Sequence, residues 1–577
     1  MMLPVFRRFI PACFLLLLLH LGAMAQFASR FDVVIDELLP DPTPPVQLPN
    51  AEFIELKNVS TTAFNIRNWK LSDGSTTATI TTNFILQPDS FVIICANNSA
   101  ALYAAFGNAI GVSNFPSLNN DADIISLYSS EGKLIHAVAY NNSWYQNAVK
   151  SEGGWSLEMI DTKNSCTGMN NWKASPNDSG GSPGKKNDAD ATNADDQPPA
   201  LTRTATTDSI TISAFFDEPL DSASAATPGN YTINNGMVQP ASANIVMPFC
   251  TEVVLKLPAA LQHKTVYQLK ASQVTDCSGN TINQLNTARA GVPAMADSLA
   301  VVINEVLFNP RPDGFDYIEI YNRSNNIIDL KQLYVASRNA TGQFTGITAV
   351  SSVPWLLFPG DYRVLTENRL WLQQQYLVKD PALITELTAL PSLPDDKGTI
   401  VLLNMQGAVI DELRYDHSWH FALVSEKEGV ALERHSYNEP TQLKSNWSSA
   451  ASTVNYGTPG YPNSQLMADT RLQGQVAVTP AVFSPDNDGF NDFATIGYQL
   501  DAPGYVATIR IFDANGRIVR HLVNNASLAA TGRFRWDGLD DGLKKLPVGI
   551  YIVLTEVFNL QGKTKKFKQV VTLAGRY

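Results

Sequence analysis

The chain has 577 residues, enough for about four domains at roughly 150 residues each. Apolar residues make up 44% and charged residues 17%, with 35 Gly and 33 Pro, which excludes disordered, collagen-like and low-complexity classes. The net charge of −12 argues against a general nucleic-acid binder, which needs a basic footprint to displace counterions.

Residues 1–25 read as a secretory signal. Arg7 and Arg8 precede the apolar run 9–21, and Ala23-Met24-Ala25 is a small-x-small cleavage site. The run is shorter than the ~20 residues of a membrane span, and no later stretch is apolar enough to serve as a transmembrane segment. The mature chain is expected to begin at Gln26. Export leaves Cys95, Cys166, Cys250 and Cys277, an even number in an oxidising compartment. Domain boundaries favour the pairs Cys95–Cys166 and Cys250–Cys277, with buried free thiols as the alternative.

An internal repeat organises the rest. Val33-Val34-Ile35-Asp36-Glu37 returns as Val301-Val302-Ile303-Asn304-Glu305. Phe53-Ile54-Glu55-Leu56-Lys57-Asn58 returns as Tyr317-Ile318-Glu319-Ile320-Tyr321-Asn322, and Asn171-Trp172 as Asn446-Trp447. Gly181-Ser182-Pro183-Gly184 returns as Gly457-Thr458-Pro459-Gly460. The offset stays between 264 and 276 residues, so two copies of one domain are placed at 28–187 and 299–465. Strands are predicted at 53–57 and 317–321, at 124–128 and 399–403, and before Tyr140 and Tyr415. A short helix is predicted at 100–106 and at 369–376.

With V-V-I-x-E, E-F-I-E-L-x-N, the turns Leu86-Gln87-Pro88 and Leu357-Phe358-Pro359, and the N-W…G-S/T-P-G ending, both copies resemble the lamin tail domain. The resemblance implies an immunoglobulin-like β-sandwich used for binding or structure and not for chemistry.

Asn187 to Pro199 has linker composition. Beyond it, 198–292 resembles the immunoglobulin-like domains of bacterial surface proteins, through the alternating strand 209–213, Phe216 to Asp221, Asn230-Tyr231 and Thr275 to Asn280. Residues 476–577 differ again, carrying +3 where residues 26–475 carry −17. Strands are predicted at 506–512, ended by Asn515-Gly516, at 517–520 and at 550–554. Residues 483–492, Phe534 to Gly538 and Pro547 to Tyr551 resemble the gliding-motility-associated C-terminal domain, with Lys563, Lys565, Lys566 and Lys568 before the last strand. That resemblance implies recognition by the type IX secretion machinery.

Signals for chemistry are sparse. Asp486, Asp488, Asn491 and Asp492 surround Gly489 in a loop suited to calcium, yet Asp, Asn and Gly also build ordinary turns. His417-x-x-His420 invites zinc, but the first copy has Asn142 and Tyr145 there. Gly180-Gly181-Ser182-Pro183-Gly184 matches a nucleophile elbow in letters only, since no strand leads in and no helix leads out. Glu52/Glu55 and Asp316/Glu319 suggest paired carboxylates, better read as a solvated strand face or structural hydrogen bonds. Six Trp residues suggest sugar platforms, but the repeated ones read as core.

The expected fold class is all-β, four tandem β-sandwich domains after the signal, the last at 476–577. The expected function is a secreted or cell-surface, non-enzymatic binding or structural protein, without catalytic residues or cofactor beyond calcium. Its expected partners are the type IX machinery and an extracellular protein or polysaccharide, not nucleic acid. The alternative is an accessory or catalytic component of an extracellular hydrolase acting on phosphoesters or polymers.

Overall fold

The computed structural model describes residues 27–234, 239–466, 474–501, 503–559 and 564–575. The signal segment 1–25, with Cys13, lies outside them, as do Lys563 and the last two residues. Two compact units divide the chain. One holds the chain up to Arg203 with Thr211–Pro258 and Gln268–Ala288; the other holds Thr204–Ile210, Ala259–Tyr267 and the chain from Arg289 on.

In the first copy, runs of apolar residues become strands that are buried on both faces. Val33–Leu39 and Phe53–Asn58 are buried at every position. They sit at the centre of a six-stranded sheet in the order Trp172–Ala174, Leu157–Met159, Val33–Leu39, Phe53–Asn58, Phe91–Ala96, Ala109–Val112. A four-stranded sheet of Leu134–Asn141, Ala122–Tyr128, Lys70–Ser72 and Thr77–Thr79 completes the domain. The main core includes Val34, Ile54, Leu71, Ile125, Trp144 and Trp172.

The second copy repeats this plan. Its larger sheet runs Trp447–Ser449, Leu432–Arg434, Val301–Leu307, Tyr317–Asn322, Tyr362–Thr366, Ile384–Glu386, and its smaller one Val409–Asp416, Lys397–Asn404, Leu333–Arg338, Phe344–Ala349. Even the irregularity is shared. The first two strands of the larger sheet shift register between Ile35 and Glu37 in one copy and between Ile303 and Glu305 in the other. Asp36 and Asn304 are thus the extra residues of matching β-bulges, a device that re-aims a side chain.

The middle segment forms a sheet of Leu201–Asp208, Thr211–Phe216, Glu252–Lys256 and Ser242–Ile245, and another of Tyr231–Ile233, Tyr267–Ala271 and Thr287–Ala290. The predicted strand 209–213 therefore begins later, at Thr211, because 209–210 make the turn. The last segment pairs Gln475–Thr479, Ala494–Gln499 and Thr531–Trp536 in one sheet, and Val482–Phe483, Thr564–Leu573, Gly549–Asn559, Tyr505–Phe512 and Ile518–Ser527 in the other. Phe483, Tyr505, Trp536 and Tyr551 pack between them. The architecture is all-β.

Two expectations need correction. The segment after Asn187 is not a free linker. Asn187 is buried, and its amide donates to the carbonyls of Asp36 and Met159 at 3.0 Å each. Ala189 N donates to Glu158 Oε2 (2.7 Å) and Ala191 N to the Ile160 carbonyl (3.0 Å). The polar composition serves a strap that closes the first copy.

The cysteine pairing also differs from both expected pairs. Cys166 bonds Cys277, with Cα atoms 6.5 Å apart, while Cys95 and Cys250 are free and buried. Cys95 lies on a central strand and packs with Phe53, Ile93 and Tyr103 in a small apolar cluster, where burial pushes its thiol up to about 11. Cys250 accepts from Arg30 Nη1 at 2.8 Å. Cys166 and Cys277 occupy loops of the first copy and of the middle segment, so the bond ties two consecutive segments of one unit.

Candidate functional site

The most concentrated polar chemistry lies inside the two copies. Each copy aims three glutamates of the larger sheet at the same place: Glu37, Glu55 and Glu158 in the first, Glu305, Glu319 and Glu433 in the second. Adjacent strands put them side by side, with Glu37 opposite both Glu55 and Glu158, and Glu305 opposite both Glu319 and Glu433. All six are fully buried.

These carboxylates receive the terminal turn. Glu37 Oε1 accepts from Ser156 Oγ (2.6 Å) and Ser182 N (2.8 Å), and Ser182 Oγ donates to Glu158 Oε1 at 2.7 Å. Glu55 Oε2 accepts from Gly184 N. In the second copy Thr458 N donates to Glu305 Oε1 (2.8 Å), Thr458 Oγ1 lies 2.8 Å from Glu433 Oε1, and Gly460 N donates to Glu319 Oε2 at 2.6 Å. Burial and mutual repulsion hold Glu37, Glu55 and Glu305 well above the usual carboxylate range, and burial pushes Glu319 up to about 8.

This geometry sorts the sequence candidates. Ser182 and Thr458 are fully buried anchors of a domain-ending turn. Glu55 and Glu319 make structural hydrogen bonds and are not on a solvated face. Glu52 serves another loop, accepting from Leu118 N at 3.1 Å, so it does not pair with Glu55 as acid and base. Trp69, Trp144, Trp172 and Trp447 are buried, and Trp155 and Trp419 are partly so.

His420 is buried, with Nδ1 2.9 Å from Ser449 Oγ, while His417 is exposed beside Asp416. Burial pulls His420 down to about 4. The two histidines do not converge with a third metal-binding side chain among the described residues.

Asp486, Asp488 and Asp492 do converge, with one carboxylate oxygen of each within 4.8 Å of the others. Asp492 also closes the loop by accepting from Asn487 N (2.7 Å) and Gly489 N (3.0 Å). Asn491 takes a left-handed φ of 52°, and its carbonyl accepts from Ser484 N at 2.9 Å.

A second acidic group escaped the sequence reading: Asp195, Glu218 and Asp276 meet within the same limit. Burial, with Asp195 and Asp276 nearby, pushes Glu218 up to about 8. The three lie far apart in sequence, and Asp195 sits in the stretch read as linker. Asp195 and Glu218 border a cavity of about 940 Å³ that Arg30, His136 and Cys166 also line.

The lamin tail domain model matches residues 26–142 and 294–417, and the CHU_C Type IX secretion signal domain model matches residues 477–573. The chain carries two lamin tail domains and a type IX secretion signal domain. Each lamin tail sheet continues past its matched segment, since Leu157–Met159 and Leu432–Arg434 supply further strands and the third glutamate. The type IX signal domain assigns export by the type IX machinery to the cell surface or extracellular space. Among the described residues, no helix is long and apolar enough to cross a membrane.

No curated protein matches the chain. Among solved structures it is similar to the N-terminal part of the bacterial S-layer protein SbsC, at 19% identity and a TM-score of 0.16, over 29% of this chain and 45% of that one. It is similar to a tetra-tandem repeat from the extending region of a large adhesion protein, at 12% identity and a TM-score of 0.12, over 94% and 99%. It is also similar to dimeric latent PorU from Porphyromonas gingivalis, at 9% identity and a TM-score of 0.15, over 78% and 40%. Likenesses at these scores carry no argument about function.

Proposed function

We propose that the exported chain is a non-catalytic binding or structural protein of the cell surface, whose two lamin tail domains present repeated faces to an extracellular protein or polysaccharide. The observation that carries this reading is the use made of Glu55, Glu319, Ser182 and Thr458. The groups nearest to a catalytic set are fully buried in both copies and bonded to the turn that closes each domain.

The short helix after the central strand offers a candidate face. Ala100–Tyr103 exposes Leu102 and Arg369–Gln375 exposes Leu370. Two linked weak contacts bind far more tightly than one, so loss of either face is expected to weaken attachment by roughly a hundredfold. The test is binding of the purified mature chain to cells and to extracellular polysaccharide and protein, with Leu102→Asp, Leu370→Asp and the double variant. Graded loss supports the reading. Absence of binding, together with hydrolysis of a phosphoester or polymer, sinks it.

A further inference from the structure

The two bulges differ in one atom group, and the difference has a chemical consequence. In the second copy the Asn304 amide donates to Glu319 Oε1 (2.7 Å) and to Asn463 Oδ1 (2.6 Å). The other oxygen of Glu319 takes Gly460 N, and the Asn463 amide donates to the carbonyls of Asn304 and Arg434. Every counterpart exists in the first copy. Glu55 Oε2 takes Gly184 N, and the Asn187 amide donates to the carbonyls of Asp36 and Met159.

At the bulge, however, stands Asp36, which is 1% exposed. Glu55 Oε1 and Asn187 Oδ1, the two acceptors that Asn304 serves in the second copy, have no partner, and neither has either oxygen of Asp36. With no proton among them these four buried oxygens have no donor, and one hydroxyl hydrogen on Asp36 removes a buried charge and turns one acceptor into a donor for a neighbour.

We propose that Asp36 keeps its proton in the folded first lamin tail domain and donates it to one of the two acceptor positions that the Asn304 amide serves in the second, so that one copy is closed by a titratable hydrogen bond and the other by a fixed pair.

The surroundings favour the neutral acid. Glu37 adjoins it on its own strand, Glu55 and Lys57 lie on the neighbouring strand on one side, Glu158 on the neighbouring strand on the other, and Asp190 on the closing strap, where Lys186 pairs with it at 2.6 Å. From the smaller sheet, His136 bonds Ile35 N and is neutral. Lys57 favours the ionised form, while Lys186 is taken up by Asp190. Burial is the largest influence and pushes Asp36 up to about 7.

The sign follows. The folded state holds a proton that the unfolded state releases, so this contribution to stability is complete below about pH 4 and is lost as the pH rises through about 7. His136 acts oppositely, because its folded value is depressed to about 4, and Asp36→Asn leaves it unchanged.

The experiment uses the full mature chain and two readouts. The infrared difference spectrum, parent minus Asp36→Asn at neutral pH, is expected to contain one protonated carboxylic acid band that fades as the pH is raised. Calorimetry is expected to give Asp36→Asn a midpoint higher by roughly 3 °C or more in the transition of the first copy, with a shallower decline on raising the pH. Asn304→Asp is expected to bring the same decline into the second copy. Absence of the carboxylic acid band, or a pH profile that Asp36→Asn leaves unchanged, overturns the proposal. So does a calcium-induced rise in midpoint in the parent alone without that band, which would place a cation where the proton is proposed. Should Asn304→Asp fail to fold, the Asp36→Asn pair of measurements still decides.

Discussion

Glycine at the closing turn shows how a single residue separates two nearly equal copies. Gly184 and Gly460 both adopt a left-handed φ, 84° and 85°, and both donate to the middle glutamate of their triad. A Cβ on Gly460 meets Leu383 at an ordinary 3.6 Å, whereas one on Gly184 runs into the Phe106 carbonyl. Gly460→Ala is expected to cost about 1 kcal/mol from backbone strain alone. Gly184→Ala is expected to cost more, about 2–3 kcal/mol, because the carbonyl has to move as well. Denaturant unfolding of the two variants checks the order; equal losses would mean that the Phe106 backbone yields freely. The sequence exposes the G-S/T-P-G motif but not this asymmetry, which arises from a neighbour some eighty positions away.

Strands tell a similar story through exchanged partners. In the first copy Ile35 N donates to His136 Nδ1 at 2.9 Å, which leaves Nε2 protonated toward the Ser165 carbonyl at 3.0 Å. In the second copy Ile303 N donates to Asp411 Oδ2 at 2.9 Å, and buried Arg434 reaches the same oxygen at 3.5 Å. Arg434 also donates to the carbonyls of Ile303, Ser436 and Glu439 and to Thr441 Oγ1. Met159 occupies the matching position of the first copy, pairing with Trp172 as Arg434 pairs with Trp447. Arg434→Met alone strands a buried carboxylate and three carbonyls, so a loss of about 3–5 kcal/mol is expected. Combined with Asp411→His it restores the set used by the first copy, and thermal unfolding is expected to recover part of that loss. A double variant no better than the single would mean that the two copies do not share interchangeable cores.

Strand positions were legible for a physical reason: short apolar runs bounded by turns leave few alternatives. The predicted 53–57 and 317–321 appear as Phe53–Asn58 and Tyr317–Asn322. The return strand predicted at 517–520 instead runs Ile518–Ser527, because its polar outward residues hide its length from a reading of apolar periodicity. The helix predicted at 100–106 is only Ala100–Tyr103, closed early as Tyr103 plugs into the core and donates to the Ala51 carbonyl at 2.5 Å. The triads were illegible because a Glu flanked by apolar residues looks the same whether its carboxylate meets water or a buried turn.

For the whole molecule, covalent closure and export are the properties that matter. The Cys166–Cys277 bond spans 111 residues and ties the first lamin tail domain to the middle segment. No sequence spacing could have indicated it, since it depends on two loops that meet only after both segments fold. Cross-linking a loop of that size removes unfolded-state entropy worth about 2–5 kcal/mol, so Cys166→Ser with Cys277→Ser is expected to lower the calorimetric midpoint of that unit while leaving Cys95 and Cys250 unreactive until it unfolds. Non-reducing peptide mapping that pairs Cys95 or Cys250 instead would refute this connectivity.

Export reads out the other end of the chain. The type IX signal domain has its own core around Phe483 and Trp536 and carries Lys565, Lys566 and Lys568 on its last long strand. Two of these lysines are already engaged, Lys565 with Asp501 at 2.7 Å and Lys566 with Glu556 at 2.6 Å. The positive excess of the domain is therefore partly neutralised, and recognition is expected to depend on the folded strand more than on charge. Removal of residues 477–573 is expected to abolish protease accessibility of the chain on intact cells, whereas Lys566→Gln with Lys568→Gln is expected to leave most of it. Loss of surface exposure in the lysine variant with the domain still folded would show that charge, and not the strand, is what the export machinery reads.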